Sequence, residues 1–155
     1  MTNNNSINGF SLAEMLVAVA IIGIVAGMFV QQFSDFQGSF KRSDAKQTFE
    51  SDVLRIRNEA VSKGARALLV LNSTGDGYTA GLDYVPYSSS GSIDNTIFQR
   101  SFPYGVTATL SQSIIFDTRG YLIDLSGTFT TTAVTMMLDG NTFYTPTVFT
   151  TGAIQ

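Results

Sequence analysis

The feature that most constrains this chain is an apolar run near its N-terminus. Met15 to Val30 contains no polar side chain, and only Ser11 and Glu14 interrupt the longer stretch from Phe10 to Val30. About 20 apolar residues in a helix span the hydrocarbon core of a bilayer. Because a core helix of a soluble domain shows polar positions every few residues, the run predicts a membrane-spanning helix.

The segment before the run has the composition of a leader. Residues 1–9 are polar and uncharged, and we interpret them as a segment that is removed. A secretory signal peptide would place its cleavage site after the apolar run, but no small-residue site follows Val30. The apolar segment is therefore expected to stay in the mature protein, as a transmembrane and assembly helix over residues 10–32.

The pattern then becomes amphipathic and predicts that the helix continues over residues 33–64. One apolar stripe at helical spacing consists of Phe49, Val53, Ile56 and Ala60. We expect this stripe to pack against a sheet. Gly64 stands where a C-cap glycine would end the helix.

Short apolar segments separated by turn residues follow Gly64. The predicted strands are Ala67–Leu71, Tyr78–Val85, Thr96–Phe102, Val106–Leu110, Ile114–Phe116, Tyr121–Leu125, Phe129–Leu138 and Phe143–Thr150. The predicted connections are a turn at Asn72–Gly77, a loop at Pro86–Asn95 and a tight turn at Asp139–Asn141. Residues 65–155 are therefore predicted to form a β-rich domain, and the fold class is α+β: a long N-terminal helix packed against a C-terminal antiparallel β-domain.

The composition excludes several kinds of chemistry. The chain has no Cys and no His, which removes disulfides, Cys-based zinc sites and catalysis by either residue. Its net charge is −3, which makes nucleic acid an unlikely partner because phosphate binding usually needs a basic field. We expect no cofactor and no metal.

Glu14 is the one charge at the start of the apolar run. An unpaired charge in hydrocarbon costs at least a few kcal/mol, and no Lys or Arg precedes Lys41. If the chain is cut after Gly9, the new amino group of Phe10 lies one helical turn from Glu14 and could neutralise it within the subunit or on a neighbour. Alternatively, Glu14 lies at the lipid headgroups, where its charge costs little.

The spacing of Gly9, Phe10 and Glu14 resembles that of a known signal. Phe10 follows Gly9, and Glu14 stands five residues after the glycine, ahead of a long apolar helix. This arrangement closely resembles the class III signal of type IV prepilins and type II secretion pseudopilins. The resemblance implies that prepilin peptidase cuts between Gly9 and Phe10 and methylates the new amine of Phe10, and that Glu14 guides register during assembly.

The same resemblance implies a structural role rather than an enzymatic one. The subunit would assemble with other pilins or pseudopilins into a type IV pilus or a type II secretion pseudopilus. It would cross the bacterial inner membrane once, with its C-terminal domain outside the cytoplasm. The segments Arg57–Gly64, Ile115–Gly120 and Val148–Ile154 are similar to parts of GspH/FimT-type minor pseudopilins.

Two other functions remain open from the sequence. A DNA-binding minor pilin would need a basic stripe on the exposed domain, and the cluster near the helix end is interpreted as a solvated face. That cluster consists of Arg55, Arg57, Lys63 and Arg66. A membrane-tethered enzyme would need a cleft of convergent carboxylates, for which the candidates are Asp76, Asp83, Asp117 and Asp124.

The predicted orientation conflicts with one general rule. Lys41, Arg42 and Lys46 follow the span, whereas the leader carries no Lys or Arg. A count of positive charges would place the C-terminal domain in the cytoplasm. The cleavage motif is the more specific signal, and it outweighs this count.

Overall fold

The structure is a computed structural model that describes residues 11–84 and 92–155. Within these ranges, helix α1 (Leu12–Lys63) precedes nine strands. The strands are β1 Arg66–Leu71, β2 Gly77–Asp83, β3 Asn95–Ser101, β4 Val106–Leu110, β5 Ile114–Phe116, β6 Leu122–Ile123, β7 Thr132–Leu138, β8 Asn141–Tyr144 and β9 Thr147–Val148. The predicted leader, Phe10 and most of the Pro86–Asn95 loop lie outside the described residues.

The strands form two antiparallel sheets, as the α+β prediction requires. The first sheet has the order β3-β2-β1-β5-β6, and the second contains β4, β7 and β8, with β9 paired to β7. Strands β1 and β2 form a hairpin in which Arg66 faces Asp83 and Leu71 faces Tyr78. The β7–β8 hairpin turns at Asp139 and Gly140, both with positive φ, which confirms the predicted tight turn.

The chain divides within α1 into two compact units, Met1–Gly38 and Ser39–Gln155. The first unit contains the apolar stretch Leu12–Phe29, and the second contains the rest of α1 and both sheets. From the sequence, the anchor is predicted to end at residue 32 and the β-domain to begin at residue 65. Both of these boundaries stay predictions.

The core of the second unit lies where the helix stripe meets the sheets. The four predicted residues, Phe49, Val53, Ile56 and Ala60, are fully buried. They belong to one cluster with side chains from both sheets, among them Leu69, Phe116 and Met136. Fully burying a large apolar side chain contributes about 1.5–3 kcal/mol, so this stripe is the main attachment of α1 to the β-domain.

Strand β1 is apolar on both faces, and both faces are covered over Ala67–Leu69. Ala67 and Leu69 belong to the main core, whereas Leu68 belongs to a smaller cluster with Ile115 and Ile123. Successive side chains of a strand point to opposite faces of the sheet. A continuous apolar run is therefore what a central strand with two packed faces requires.

Gly64 ends α1 in the way that the sequence predicts. Its φ is +60°, a left-handed conformation that favours glycine. The amide of Ala65 donates a hydrogen bond to the carbonyl of Ala60 at 3.2 Å, which satisfies a carbonyl in the last turn. Lys63 lies in that turn, where a cation is favourable to the helix dipole.

Several predicted strands are shorter than the sequence pattern indicates. The predicted strand Phe129–Leu138 begins only at Thr132, and the predicted strand Tyr78–Val85 ends at Asp83. The predicted strand Phe143–Thr150 is divided into β8 and β9, because Pro146 between them has no amide hydrogen to donate. The predicted strand Tyr121–Leu125 is reduced to β6, because Asp124 accepts the amides of Ser126 and Thr128 and closes a turn.

Candidate processing and assembly site

The apolar stretch of α1 is exposed along its whole described length. Leu12–Phe29 has a mean hydropathy of 2.4, and none of its residues is buried. By length and composition alone, it is long and apolar enough to cross a membrane, and it is the one such helix in the described part of the chain. A helix that exposes apolar side chains on all sides needs lipid or other chains around it.

The start of α1 is closed by a capping box. The amide of Ser11 donates to Glu14 Oε2 at 2.9 Å, and Ser11 Oγ accepts the amide of Ala13 at 3.3 Å. The carbonyl of Ser11 accepts the first helical hydrogen bond, from the amide of Met15, at 3.2 Å. The negative charge of Glu14 is also favourable at this end of the helix dipole.

Ser11 is the residue that the sequence analysis missed. The spacing of Ser11 and Glu14 is the S-x-x-E signature of a capping box, so the sequence held the signal. In the structure the Glu14 carboxylate has a backbone partner, the Ser11 amide, whereas the sequence analysis considered only a cation as its partner. Gly9 and Phe10 lie outside the described residues, so the cleavage site and the pairing of Glu14 with the Phe10 amine stay predictions.

Small residues occur throughout the apolar stretch. They are Ala18, Ala20, Gly23, Ala26 and Gly27, and all are exposed. A Cβ added at Gly23 or Gly27 would meet no described atom within 4 Å. Contacts within the described part of the chain therefore do not require glycine at these two positions. Close contact with another helix would require a small residue there.

Two of the four basic residues near the end of α1 are not solvated, which corrects part of the sequence interpretation, whereas Arg55 and Lys63 are exposed. Arg66 is only 6% exposed, and its guanidinium pairs with Asp83, which faces it across the β1–β2 hairpin. Arg57 is partly buried, and its Nε donates to the carbonyl of Gly120 at 2.9 Å. These two arginines hold elements of the domain together.

A second pair of arginines shares one aromatic ring. The guanidinium of Arg55 lies 4.7 Å from the ring centroid of Phe98, and that of Arg100 lies 5.8 Å from the same centroid. Arg100 Nε also donates to the buried Asp52 at 3.1 Å, and Tyr78 donates to the same oxygen at 2.8 Å. Arg55, Arg57, Arg66 and Arg100 thus each make a contact within the domain, and the two most buried contacts, those of Arg57 and Arg66, are not available to a ligand such as DNA.

Two of the four acids that the enzyme hypothesis names line one cavity. Asp83 and Asp117 lie around a cavity of about 380 Å³ together with Arg66 and Arg119. Each acid already has a cationic partner: Arg66 binds Asp83, and Arg119 Nη2 lies 2.9 Å from Asp117 Oδ2. A carboxylate committed to an arginine is poorly placed to act as a general base.

The other two acids close turns and are not among the residues that line this cavity. Hydrogen bonds from Thr74 and Asn72 lower the pKa of Asp76. Hydrogen bonds from Ser126 and from the Thr128 amide lower the pKa of Asp124. The four carboxylates therefore do not converge as the enzyme hypothesis requires, and no group of three or more possible metal ligands occurs among the described residues.

Comparisons with known proteins add to this geometry. The family model described as "Prokaryotic N-terminal methylation motif" matches residues 4–30. No curated protein sequence matches the chain.

Solved structures of two minor subunits are similar to the chain. The type IV minor pilin FimU of Pseudomonas aeruginosa has a TM-score of 0.58 at 18% identity, over 73% of this chain and 85% of FimU. A FimU structure in another space group has a TM-score of 0.56 at 19% identity, over 73% and 90% of the two chains. The minor pseudopilin EpsH of Vibrio cholerae has a TM-score of 0.50 at 10% identity, over 70% and 90%.

At sequence identities of 10–19%, the similarity to these structures concerns the fold alone. The methylation motif is a separate observation, made on residues 4–30. The long N-terminal helix followed by antiparallel sheets is a pilin-like architecture. The chain therefore has a pilin-like fold and carries the prokaryotic N-terminal methylation motif.

Proposed function

We propose that the chain is a structural minor pilin or pseudopilin subunit. Prepilin peptidase removes residues 1–9 by cutting between Gly9 and Phe10 and methylates the amine of Phe10. The mature subunit then assembles with other pilins into a type IV pilus or a type II secretion pseudopilus. The observation that carries this proposal is the methylation motif at residues 4–30, which ends in an exposed apolar helix.

The helix holds the subunit in the bacterial inner membrane before assembly. The 18 residues of Leu12–Phe29 rise about 27 Å, close to the thickness of a bilayer core of about 30 Å. Residues 10–32 form the single membrane-spanning anchor, and the β-domain lies on the periplasmic side. The chain has no Walker-type phosphate loop, so separate machinery must drive its extraction from the lipid.

Glu14 guides the subunit into register. Its carboxylate is already held at the helix start by the Ser11 amide, and the amine created at Phe10 supplies the compensating positive charge, within the subunit or on a neighbour. The exposed small residues, such as Gly23 and Gly27, let neighbouring helices approach closely. The subunit is not an enzyme, a proposal supported by the arginine partners of Asp83 and Asp117.

Mass spectrometry of the mature N-terminus tests this function. In cells with active prepilin peptidase, we expect the chain to begin at methylated Phe10. Gly9→Leu should leave the leader attached because it changes the residue at the cut, whereas Asn5→Leu, in the same leader, should be processed normally. An intact Met1 on the unaltered chain would contradict the proposal.

A further inference from the structure

Strand β3 forms one edge of the first sheet, and this edge is open. Among the described residues, Asn95–Ser101 pairs with β2 alone, because the strand order is β3-β2-β1-β5-β6. The opposite edge is covered: Phe129 bridges Ile123, and the amide of Thr130 donates to the carbonyl of Leu122 at 3.2 Å. An open edge presents a row of peptide groups with which another chain can pair.

The ladder between β2 and β3 shows which peptide groups point outward. The amide of Phe102, directly after β3, donates to the carbonyl of Asp76 at 2.8 Å. Because hydrogen-bonded and non-hydrogen-bonded pairs alternate in an antiparallel ladder, Arg100 also bonds to β2, whereas the peptide groups of Gln99 and Ser101 point away from it. The described part of the chain contains no backbone partner for these two outward residues.

This end of β3 carries little protection against pairing. Edge strands are commonly protected by lysine, proline or a bulge. Residues 98–101 contain neither Lys nor Pro, and the irregularity of the ladder lies before them, opposite Ala80 and Gly81. Gln99 and Ser101 are exposed and uncharged. An extended chain can therefore pair with these residues without opposing a charge on their face of the sheet.

The other face of β3 combines an aromatic ring with positive charge. Phe98 and Arg100 share this face, and Arg100 Nε donates to Asp52 on α1 at 3.1 Å. Arg55 is exposed on α1, with its guanidinium 4.7 Å from the ring centroid of Phe98, and it has no ion pair within the described ranges. Asp52 already accepts both Arg100 and Tyr78, so the charge of Arg55 is left uncompensated at the edge.

We propose that β3 binds an extended segment of another protein, which adds a strand to the sheet and carries an acidic residue beside Arg55. In strand addition, main-chain hydrogen bonds give affinity and alternate side chains give specificity. The outward peptide groups of Gln99 and Ser101 supply the first, and Arg55 supplies the second. A second copy of β3 fits less well, because it would bring the arginines of both chains to one edge. The proposal depends on neither the cleavage nor the membrane anchor of the proposed function.

The charge preference is tested with the full chain in detergent and a labelled synthetic peptide. The peptide is Thr-Val-Thr-Glu-Thr-Val-Thr with blocked ends, matched to the seven residues of β3, and a second peptide has Lys in place of Glu. Fluorescence anisotropy measures binding. We expect the Lys peptide to bind about five- to tenfold more weakly, because it replaces an attraction to Arg55 by a repulsion. Arg55→Gln should remove most of that difference.

Proline at residue 99 tests the strand pairing itself. Gln99→Pro removes an amide that points outward and leaves the hydrogen bonds to β2, so the fold should persist and binding of the Glu peptide should fall about tenfold or more. Gln99→Thr keeps the amide and should bind normally. An N-methylated Glu peptide cannot donate main-chain hydrogen bonds and should fail to bind the unaltered chain, which tests the pairing independently of the folding of Q99P.

Three results would overturn the proposal: no binding of the Glu peptide at millimolar concentration, equal binding by Q99P and the unaltered chain, or equal binding of the Glu and Lys peptides. Sedimentation of the same samples tests the alternative occupant. Self-association of the unaltered chain that Q99P abolishes would overturn the acidic partner and assign the edge to a second copy.

Discussion

At the scale of single residues, Glu14 has two separable properties. Its carboxylate accepts the Ser11 amide and so completes the capping box, and it also carries a negative charge. Glutamine at this position of a capping box retains the acceptor and loses the charge. Alanine loses both. The two substitutions therefore distinguish helix capping from charge compensation.

We predict that Glu14→Gln and Glu14→Ala both leave cleavage at Gly9 intact and both reduce incorporation into filaments severely. The reason is that the proposed partner of Glu14 is the cationic amine of Phe10, which a neutral amide cannot compensate. The measurement is the ratio of assembled to processed subunit in sheared filaments, with Glu59→Gln as a control at a distant acid. Normal incorporation of E14Q would mean that capping, not charge, is what assembly requires.

Arg66 shows why some of the site could not be predicted. It follows Gly64 at a helix end, where an arginine is usually exposed, and its partner Asp83 is 17 residues away in sequence. Only the register of the β1–β2 hairpin places the two side chains opposite each other. In contrast, Gly64 was identified because its role depends on neighbours within one helical turn.

The buried pair leads to a prediction about stability. Arg66→Met leaves Asp83 as a buried charge without its cation, and we expect the free energy of unfolding to fall by about 3–5 kcal/mol. The double variant Arg66→Met/Asp83→Leu removes both charges and should be more stable than the single variant. Chemical denaturation of the purified chain in detergent measures both. A double variant no more stable than R66M would show that the uncompensated charge of Asp83 is not what destabilises the single variant.

At the scale of elements, local patterns predicted most strands but not their arrangement. Alternating apolar residues and turns such as Asp139–Gly140 depend on sequence neighbours, so β4 and β5 were predicted with their observed bounds. The placement of β5 beside β1, and of β7 between β4 and β8, depends on contacts between distant segments. No local pattern encodes such pairings.

Three segments that resembled minor pseudopilins meet around one arginine. Arg57 on α1 donates to Gly120 in the β5–β6 turn, and a Cβ added at Gly152 would lie 2.6 Å from its Cδ. A Cβ at Gly120 would lie 3.2 Å from its Nε. The closing segment and the β5–β6 turn therefore both need glycine where they pack on the helix.

Two glycines that both have positive φ provide a matched test of this packing. Gly152 and Gly64 both have positive φ, +78° and +60°, but a Cβ at Gly64 would meet no described atom within 4 Å. We expect Gly64→Ala to cost about 1–2 kcal/mol of stability from strain alone. Gly152→Ala should cost clearly more, because it also displaces Arg57. Equal losses in chemical denaturation would argue against a tight contact at Gly152.

At the scale of the whole molecule, the two compact units bury their apolar residues differently. The described residues of Leu12–Phe29 in the first unit are all exposed. The main core begins at Ala45 and lies entirely within Ser39–Gln155. The composition of the chain is therefore an average of a segment that needs lipid or other subunits and a domain that contains its own core.

This division predicts that the second unit folds without the first. A chain of Ser39–Gln155 should be soluble without detergent and unfold cooperatively on heating, because it retains the whole helix stripe and both sheets. A control chain that begins at Asp52 loses Ala45 and Phe49 from the core and should aggregate or unfold without a transition. Circular dichroism and sedimentation distinguish the two. Aggregation of the longer chain would show that Met1–Gly38 contributes to folding as well as to anchoring.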